Sequence, residues 1–373
     1  MVASELYFSR VKAGFFLLLL FSICANFSSS FIPFYFKEQG FSLAWIILRY
    51  AIYASIGVVL IPFFRNFSVR TYLIAGFVTF SLGLASLAFL PPKISIYAYA
   101  FLIGLNLILF WLPLNYLFFL KSSKDTNAVD SSLYLVAPGI ISMILPLFGA
   151  AVANSFGYSW LFGLAAVLYL FPIFFVYKKI PEEKIITVPF QEGVRRFKGL
   201  KTITMFEGAL QHFSGIVVAV YTLLFLKTSL EVGYFLSYLG LLGFVIGMLL
   251  SRYSDKNQKR KAFIFVLFCL MSLSIFVLPL SKENITWFIS VGIFSVIYTI
   301  SSPLRLAVSL DVRVADLDFW KVREFFLNVG RVVTLLLTVF LFTFKQYFLV
   351  FALFGFIALA YPFVVSHKLK EVK

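Results

Sequence analysis

The sequence predicts an all-α membrane protein: twelve transmembrane helices arranged as two pseudo-symmetric six-helix bundles. Three observations carry that prediction. Of 373 residues, 61% are hydrophobic and 13% charged, with a mean hydropathy of +0.97, whereas soluble domains hold roughly 45–50% apolar and about 25% charged residues. Apolar runs near the ~20 residues needed to cross a bilayer recur twelve times along the chain. Lys and Arg gather on alternate connections between those runs, the signature of membrane loops.

The twelve predicted helices are 14–36, 42–64, 70–90, 94–120, 132–154, 158–177, 201–226, 229–250, 262–280, 285–310, 322–344 and 346–366. The first follows Arg10 and Lys12 and opens like a signal peptide, but its apolar run continues to Phe36, so it reads as a retained helix. Spans of this length are helices because bare backbone polar groups are not tolerated in lipid. A β-barrel would show short alternating strands instead.

Counting basic residues by side orients the chain. Both termini and the connections at 65–70, 121–131, 178–201, 251–261 and 311–321 hold twenty-three, the other side holds five, and four Arg fall inside spans. This bias predicts a multi-pass protein of the cell membrane with both termini cytoplasmic. The net charge of +16 is thereby explained by loops. No extended basic face interleaved with aromatics points to nucleic acid as a partner.

The charged connection 178–200 (KKIPEEKIITVPFQEGVRRFKGL) divides the chain into residues 1–177, this central loop, and residues 201–373. A weak internal repeat with an offset near 190 supports the division. Lys37 answers Lys227, Arg70 answers Lys261, and Tyr177-Lys178 answers His367-Lys368. Such repeats are common in secondary transporters, with the substrate site between them.

Six plus six helices, a basic central loop and this orientation resemble the major facilitator superfamily. The segment Ser251-Arg252-Tyr-Ser-Asp255-Lys256-Asn-Gln258-Lys259-Arg260 is similar to that family's signature loop Gly-x-x-x-Asp-Arg-x-Gly-Arg-Arg, with Ser251 and Gln258 where it has glycine. The segment Phe156-Gly157-Tyr158-Ser-Trp160-Leu-Phe162 also resembles the family's link between helices 5 and 6. The resemblance implies alternating access and a central cavity lined by helices 1, 4, 7 and 10. It also implies a gate of charged residues at the cytoplasmic loops. Asp255, Lys256 and Arg252 fall in the second-half loop. Arg65 and Arg70 fall in the first-half loop, which lacks its acid. Glu324, at the start of the eleventh helix, is expected to pair with Arg65 or Arg70 when that side is shut.

Polar residues recurring at helical spacing inside a span face an interior or a water-filled cavity. The first helix offers Ser22, Asn26, Ser29 and Ser30; the fourth, more weakly, Asn106, Trp111 and Asn115. The seventh offers Thr204, Glu207, Gln211 and His212. The tenth offers Ser295, Tyr298, Thr299 and Ser302 with Arg305; the eleventh, Glu324, Asn328, Arg331 and Thr338. The bland alternative is hydrogen bonding between helices. Small-residue stripes on the fifth helix (Gly139, Ser142, Pro146, Gly149) and eighth (Gly233, Ser237, Gly240) read as close packing.

At ~1.5 Å rise per residue, Glu207 and Arg305 lie about 9 and 8 Å deep and are expected to pair. Arg331 and His212 lie near the midplane, about 14–16 Å deep, with no acid at that depth. An unpaired Arg there should face water or a substrate, which makes Arg331 the leading substrate contact, suited to a carboxylate or phosphate. Its alternative is pairing with Glu324. Arg49 is either a further contact or snorkels outward. Glu207 and His212 are the candidate proton carriers, so a proton is a candidate coupling ion.

The functional expectation is a secondary active transporter of a small-molecule substrate, with a weak preference for an organic anion, working in the lipid bilayer. Two alternatives remain at this level. A polytopic enzyme such as a lipid-linked transferase would use the acidic cluster Asp311, Asp316 and Asp318; a transporter-like sensor would bind without translocating. No cofactor motif or metal-ligand spacing is present, and Cys24 and Cys269 lie far apart inside apolar runs.

Overall fold

A computed structural model describes residues 2–120, 127–136, 138–254 and 260–368; side chains at 2–12, 128–129, 136, 246–254 and 260–262 are not described. Among the described residues, eleven helices are long and apolar enough to cross a membrane: α1 (Ala13–Glu38), α2 (Leu43–Phe63), α3 (Val69–Phe89), α4 (Pro92–Phe119), α5 (Asp130–Phe156), α6 (Tyr158–Lys179), α7 (Lys201–Thr222), α9 (Phe263–Leu280), α10 (Asn284–Val312), α11 (Leu317–Thr343) and α12 (Tyr347–Lys368). The twelfth, α8 (Ser229–Ser254), holds the apolar stretch Ser229–Val245. The chain is a multi-pass membrane protein with the expected count and order of helices. Twelve crossings bring both termini to one face, the terminal face; the other is the opposite face.

Local chemistry explains where these helices bend and stop. α1 tightens to a 3-10 turn at Ser29–Phe31, just before Pro33. The main chain widens to π turns at Leu107–Trp111 in α4, next to Pro113, and at Phe213–Val217 in α7, next to His212. Proline removes a helical N–H donor, and π turns re-aim side chains, often at functional sites. Asp316 caps α11, its Oδ1 accepting from the Phe319 N–H at 2.7 Å. Gly157, at φ +86°, makes the sharp turn from α5 into α6 that a side chain would oppose.

Glycine also sets the tightest helix crossings. A Cβ on Gly208 of α7 would stand 2.1 Å from the Leu327 carbonyl oxygen of α11. One on Gly330 of α11 would stand 2.0 Å from the Met205 carbonyl oxygen of α7. The small stripes of the fifth and eighth helices meet each other, with Gly233 against Ala150 and Gly240 against Ser142, while Gly149 lies on the Phe27 carbonyl of α1. In lipid such packing replaces a hydrophobic driving force.

The central loop is more structured than its composition suggests. Lys184–Ile186 pairs antiparallel with Asn66–Ser68 after α2, in the register Asn66↔Ile186 and Ser68↔Lys184. A short helix, Phe190–Arg196, then rests on α11 through the Phe190–Phe325 rings, 4.8 Å apart. Between them the Thr187 N–H donates to the Arg65 carbonyl at 2.8 Å and the Val188 N–H to Asp318 Oδ1 at 3.0 Å. Buried Lys321 of α11 donates to the Phe64 carbonyl and to the Thr187 hydroxyl. At the opposite face Lys37 of α1 donates to the carbonyls of Leu223 and Leu226, just after α7. Both faces are therefore bridged between the first six and last six helices.

Two measurements check this architecture. Gly330→Ala forces its methyl into a backbone carbonyl and should cost about 1–3 kcal/mol or more, read as a lowered melting temperature in detergent. Gly163→Ala, whose Cβ would meet nothing within 4 Å, should leave it unchanged. The exposed Glu182 carboxyl is held below its ordinary range chiefly by the Ser68 hydroxyl, with Arg70 and Thr71 assisting. A carboxyl held low contributes stability above its unfolded value of about 4.3, lost as pH falls through the lower folded value. Hydrogen exchange of the 184–186 strand should therefore be slower in the wild type than in Glu182→Gln at about pH 7, with the two converging below about pH 4.

Candidate functional site

A cavity of about 400 Å³ runs from mid-membrane toward the terminal face. Its wall comes from α2 (Tyr53), α4 (Leu107, Trp111, Asn115), α5 (Tyr134, Leu135), α7 (Glu207, Gln211), α10 (Tyr298, Thr299, Ser302, Arg305, Leu306) and α11 (Trp320, Arg323, Glu324, Leu327, Arg331). α10 and α11 contribute five residues each; on α11, Trp320, Glu324, Leu327 and Arg331 recur at spacings of three and four, which stacks them on one helix face.

Three cations and two anions share this wall. Arg331 donates to Gln211 Oε1 at 2.7 Å, Asn328 Oδ1 at 3.0 Å and Glu324 Oε2 at 3.4 Å. Arg323 donates to Glu207 Oε2 at 2.6 Å, and the Tyr361 hydroxyl donates to the other oxygen of that carboxylate at 3.3 Å. Arg305 reaches only the Ser302 hydroxyl on its own helix and lies over the Tyr298 ring, 4.5 Å from its centre. Its Nη1 is buried with no hydrogen-bond partner. The Tyr134 hydroxyl donates to Asn115 Oδ1 at 2.6 Å, and Tyr53 shares a hydrogen bond with His212 Nε2.

Of the residues singled out from sequence, Glu207, Gln211, Tyr298, Arg305, Asn115, Glu324 and Arg331 line the cavity. Asn328 and His212 stand behind it, bonded to the lining residues Arg331 and Tyr53. Several expectations are corrected. Glu207 pairs with Arg323, not with Arg305. Arg331 is not left without an acid, because Glu324 reaches it from two turns away. Arg49 does not snorkel: it is 2% exposed and packed on aromatic rings. Asn26 turns back to the Ser22 carbonyl of its own helix at 2.9 Å. α1 lines nothing here, and α2, α5 and α11 take its place.

The expected pair between Glu324 and Arg65 or Arg70 does not form in this conformation. Glu324 points inward to Arg331, while the central loop supplies Arg70 with Glu182 at 2.7 Å. Arg65 is exposed and contributes its backbone carbonyl to Thr187. Asp255 and Lys256 lie outside the described residues, as does the Arg252 side chain. The acidic cluster is occupied structurally: Asp311 accepts from Asn127 at 3.0 Å, Asp316 caps α11 and Asp318 accepts from Val188. Among the described residues no group of acids, histidines and cysteines is placed to hold a metal.

Arg323 is the main omission of the sequence reading. The eleventh helix was expected to begin at residue 322, which puts Arg323 at the interface. It begins at Leu317, so Arg323 lies about 9 Å inside, level with Glu207 six residues into α7. The available signal was Asp316 as an N-cap ahead of Leu317, Trp320 and Leu327, apolar residues at helical spacing.

Comparison with known proteins agrees with this geometry. The Major Facilitator Superfamily model matches residues 65–313. The chain belongs to that superfamily. It is a membrane transporter, not an enzyme. Two solved POT family transporters share the fold, each at 12% identity over 97% of this chain and 96% of theirs. One is in complex with a thioalcohol-conjugated peptide, at a TM-score of 0.68. The other is in complex with 5-aminolevulinic acid, at 0.71. No curated protein sequence matches significantly.

The Glu207–Arg323 pair gives a direct test of the site's architecture. Removing one partner leaves a buried charge unanswered, so Glu207→Leu and Arg323→Leu should each cost about 3–5 kcal/mol. The double variant should recover much of that loss in thermal unfolding. A double variant no better than the sum of the singles would show that the pair does not hold α7 to α11.

Proposed function

We propose that this chain is a secondary transporter of a small solute bearing an anionic group, with Arg305 as the anchoring cation. The observation that carries this reading is the partnerless Nη1 of Arg305 on the cavity wall. The two carboxylates are already engaged by Arg323 and Arg331, so the wall presents one surplus positive charge. Trp111, Trp320, Tyr53 and Tyr298 supply flat apolar surface for the rest of a small solute. That a transporter of this fold is solved with 5-aminolevulinic acid supports a small organic acid as the class.

Residues 1–177 and 201–373 act as two six-helix bundles rocking about the cavity, joined by the loop 178–200. Exit to the opposite face requires release of Lys37 from Leu223 and Leu226. Exit to the terminal face requires release of Lys321 from Phe64 and Thr187. With the twenty-three-to-five bias of basic residues, the terminal face is cytoplasmic and the membrane is the cell membrane. A proton is the coupling ion: an anion arriving beside Arg305 competes for Arg323, and a buried Glu207 that loses its cation is relieved by protonation.

Thermal stabilisation of the purified protein by a panel of carboxylates, sulfonates, neutral solutes and organic cations tests the reading. Small organic acids should raise the melting temperature of the wild type. Arg305→Gln should weaken that binding by about tenfold or more, the worth of a hydrogen bond to a charged group. Equal stabilisation of both proteins by neutral or cationic solutes would remove Arg305 as the anchor and the anion as the solute.

A further inference from the structure

We propose that Arg49 heads a second, sealed binding site, for a small monovalent inorganic anion such as a halide, built by α1, α2, α4 and α6. Arg49 is 2% exposed and does not line the central cavity. Its guanidinium lies 3.9 Å from the centre of the Tyr50 ring and 5.2 Å from that of Tyr99. Ring faces answer the positive charge from above but do not accept the N–H bonds, which point outward in the guanidinium plane.

Nε and Nη2 of Arg49 are both buried without a hydrogen-bond partner. These two atoms form one edge of the guanidinium, a pair of parallel donors suited to a single anionic acceptor. Hydroxyl groups cluster close by: Ser29 lies within reach of the hydroxyls of both Tyr99, whose ring Arg49 packs against, and Tyr169. Arg323 and Arg331 meet carboxylates and Arg305 faces the cavity; Arg49 does neither. Two unmet donors of a buried cation, with hydroxyls close by that can turn to donate, are complementary to an anion, and a buried site to an anion small enough to shed its water.

The site is independent of the proposed solute anchor, and the experiment separates the two. Melting temperature is measured for the full chain in detergent while sodium gluconate is replaced by sodium chloride at constant ionic strength. Chloride should stabilise the wild type and Arg305→Gln alike, along a single-site saturation curve. Arg49→Lys, which keeps the charge and loses the donor edge, should lose the response. Tyr99→Phe should shift half-saturation upward by about tenfold. If the Arg49 variant does not fold, Tyr99→Phe stands with a bromide-soaked crystal, whose anomalous peak should lie beside Nε and Nη2. No chloride response in the wild type, or an undiminished one in Arg49→Lys, overturns the proposal. So does an Arg49→Lys variant that loses organic acids rather than chloride, since that would make Arg49 part of the solute's own site.

Discussion

A charge carried into a hydrocarbon slab has to be met by an opposite charge, a fixed dipole, water or a ligand. In this protein that requirement organises the contact between α7 and α11. Arg323 reaches across to Glu207, and Arg331 reaches across to Gln211 while holding Glu324 on its own helix. The two backbones also run close beside these pairs. Gly208 and Gly330 lie on each other's partner helix at distances that leave no room for a Cβ. The charge pairs and the glycine crossing are one device, and they fix the wall of the cavity.

The polar contacts that join the first six and last six helices at the two faces are of a different kind. At the opposite face Lys37 holds carbonyls just past the end of α7; at the terminal face Lys321 holds the carbonyl just past the end of α2. Carbonyls at helix C-termini have no intrahelical partner and carry the negative end of the helix dipole, so a lysine satisfies them without a carboxylate. Hydrogen bonds to charged groups contribute about 1.5–3 kcal/mol, less than the penalty for breaking a buried ion pair. The strong pairs thus sit within the last six helices, and the weaker bonds lie where the proposed rocking would part the two halves. The central loop adds to the weaker set, with its strand on the first half and its short helix on α11.

Most of the fold was legible in the sequence because apolar length and basic alternation are imposed by the bilayer itself. The cavity was partly legible: polar residues at helical spacing on α7, α10 and α11 do face it. What failed did so for identifiable reasons. The eleventh helix starts five residues before its apolar run, so Arg323 was placed at the wrong depth and Glu207 was matched to Arg305. On α1, Ser22 and Asn26 bond back to the carbonyls of Leu18 and Ser22 on their own helix, so that stripe marked no cavity. Arg49 is buried through aromatic contacts that spacing alone does not reveal. The central loop's strand depends on pairing with a segment more than a hundred residues away, beyond any local pattern.

The same reasoning narrows what the cavity accepts. A solute that fills it without an anionic group leaves Arg305 Nη1 buried beside an apolar surface, with the desolvation cost of an unmet donor on a charged group. A solute that supplies an acceptor there removes that cost and keeps the aromatic contact of Tyr298 beneath the guanidinium. Discrimination built on an unmet polar group is far stronger than discrimination by apolar fit, where a methylene is worth only about 1–3 kcal/mol. On the proposed reading the aromatic walls then set how large the remainder of the solute is, and Arg305 sets its charge.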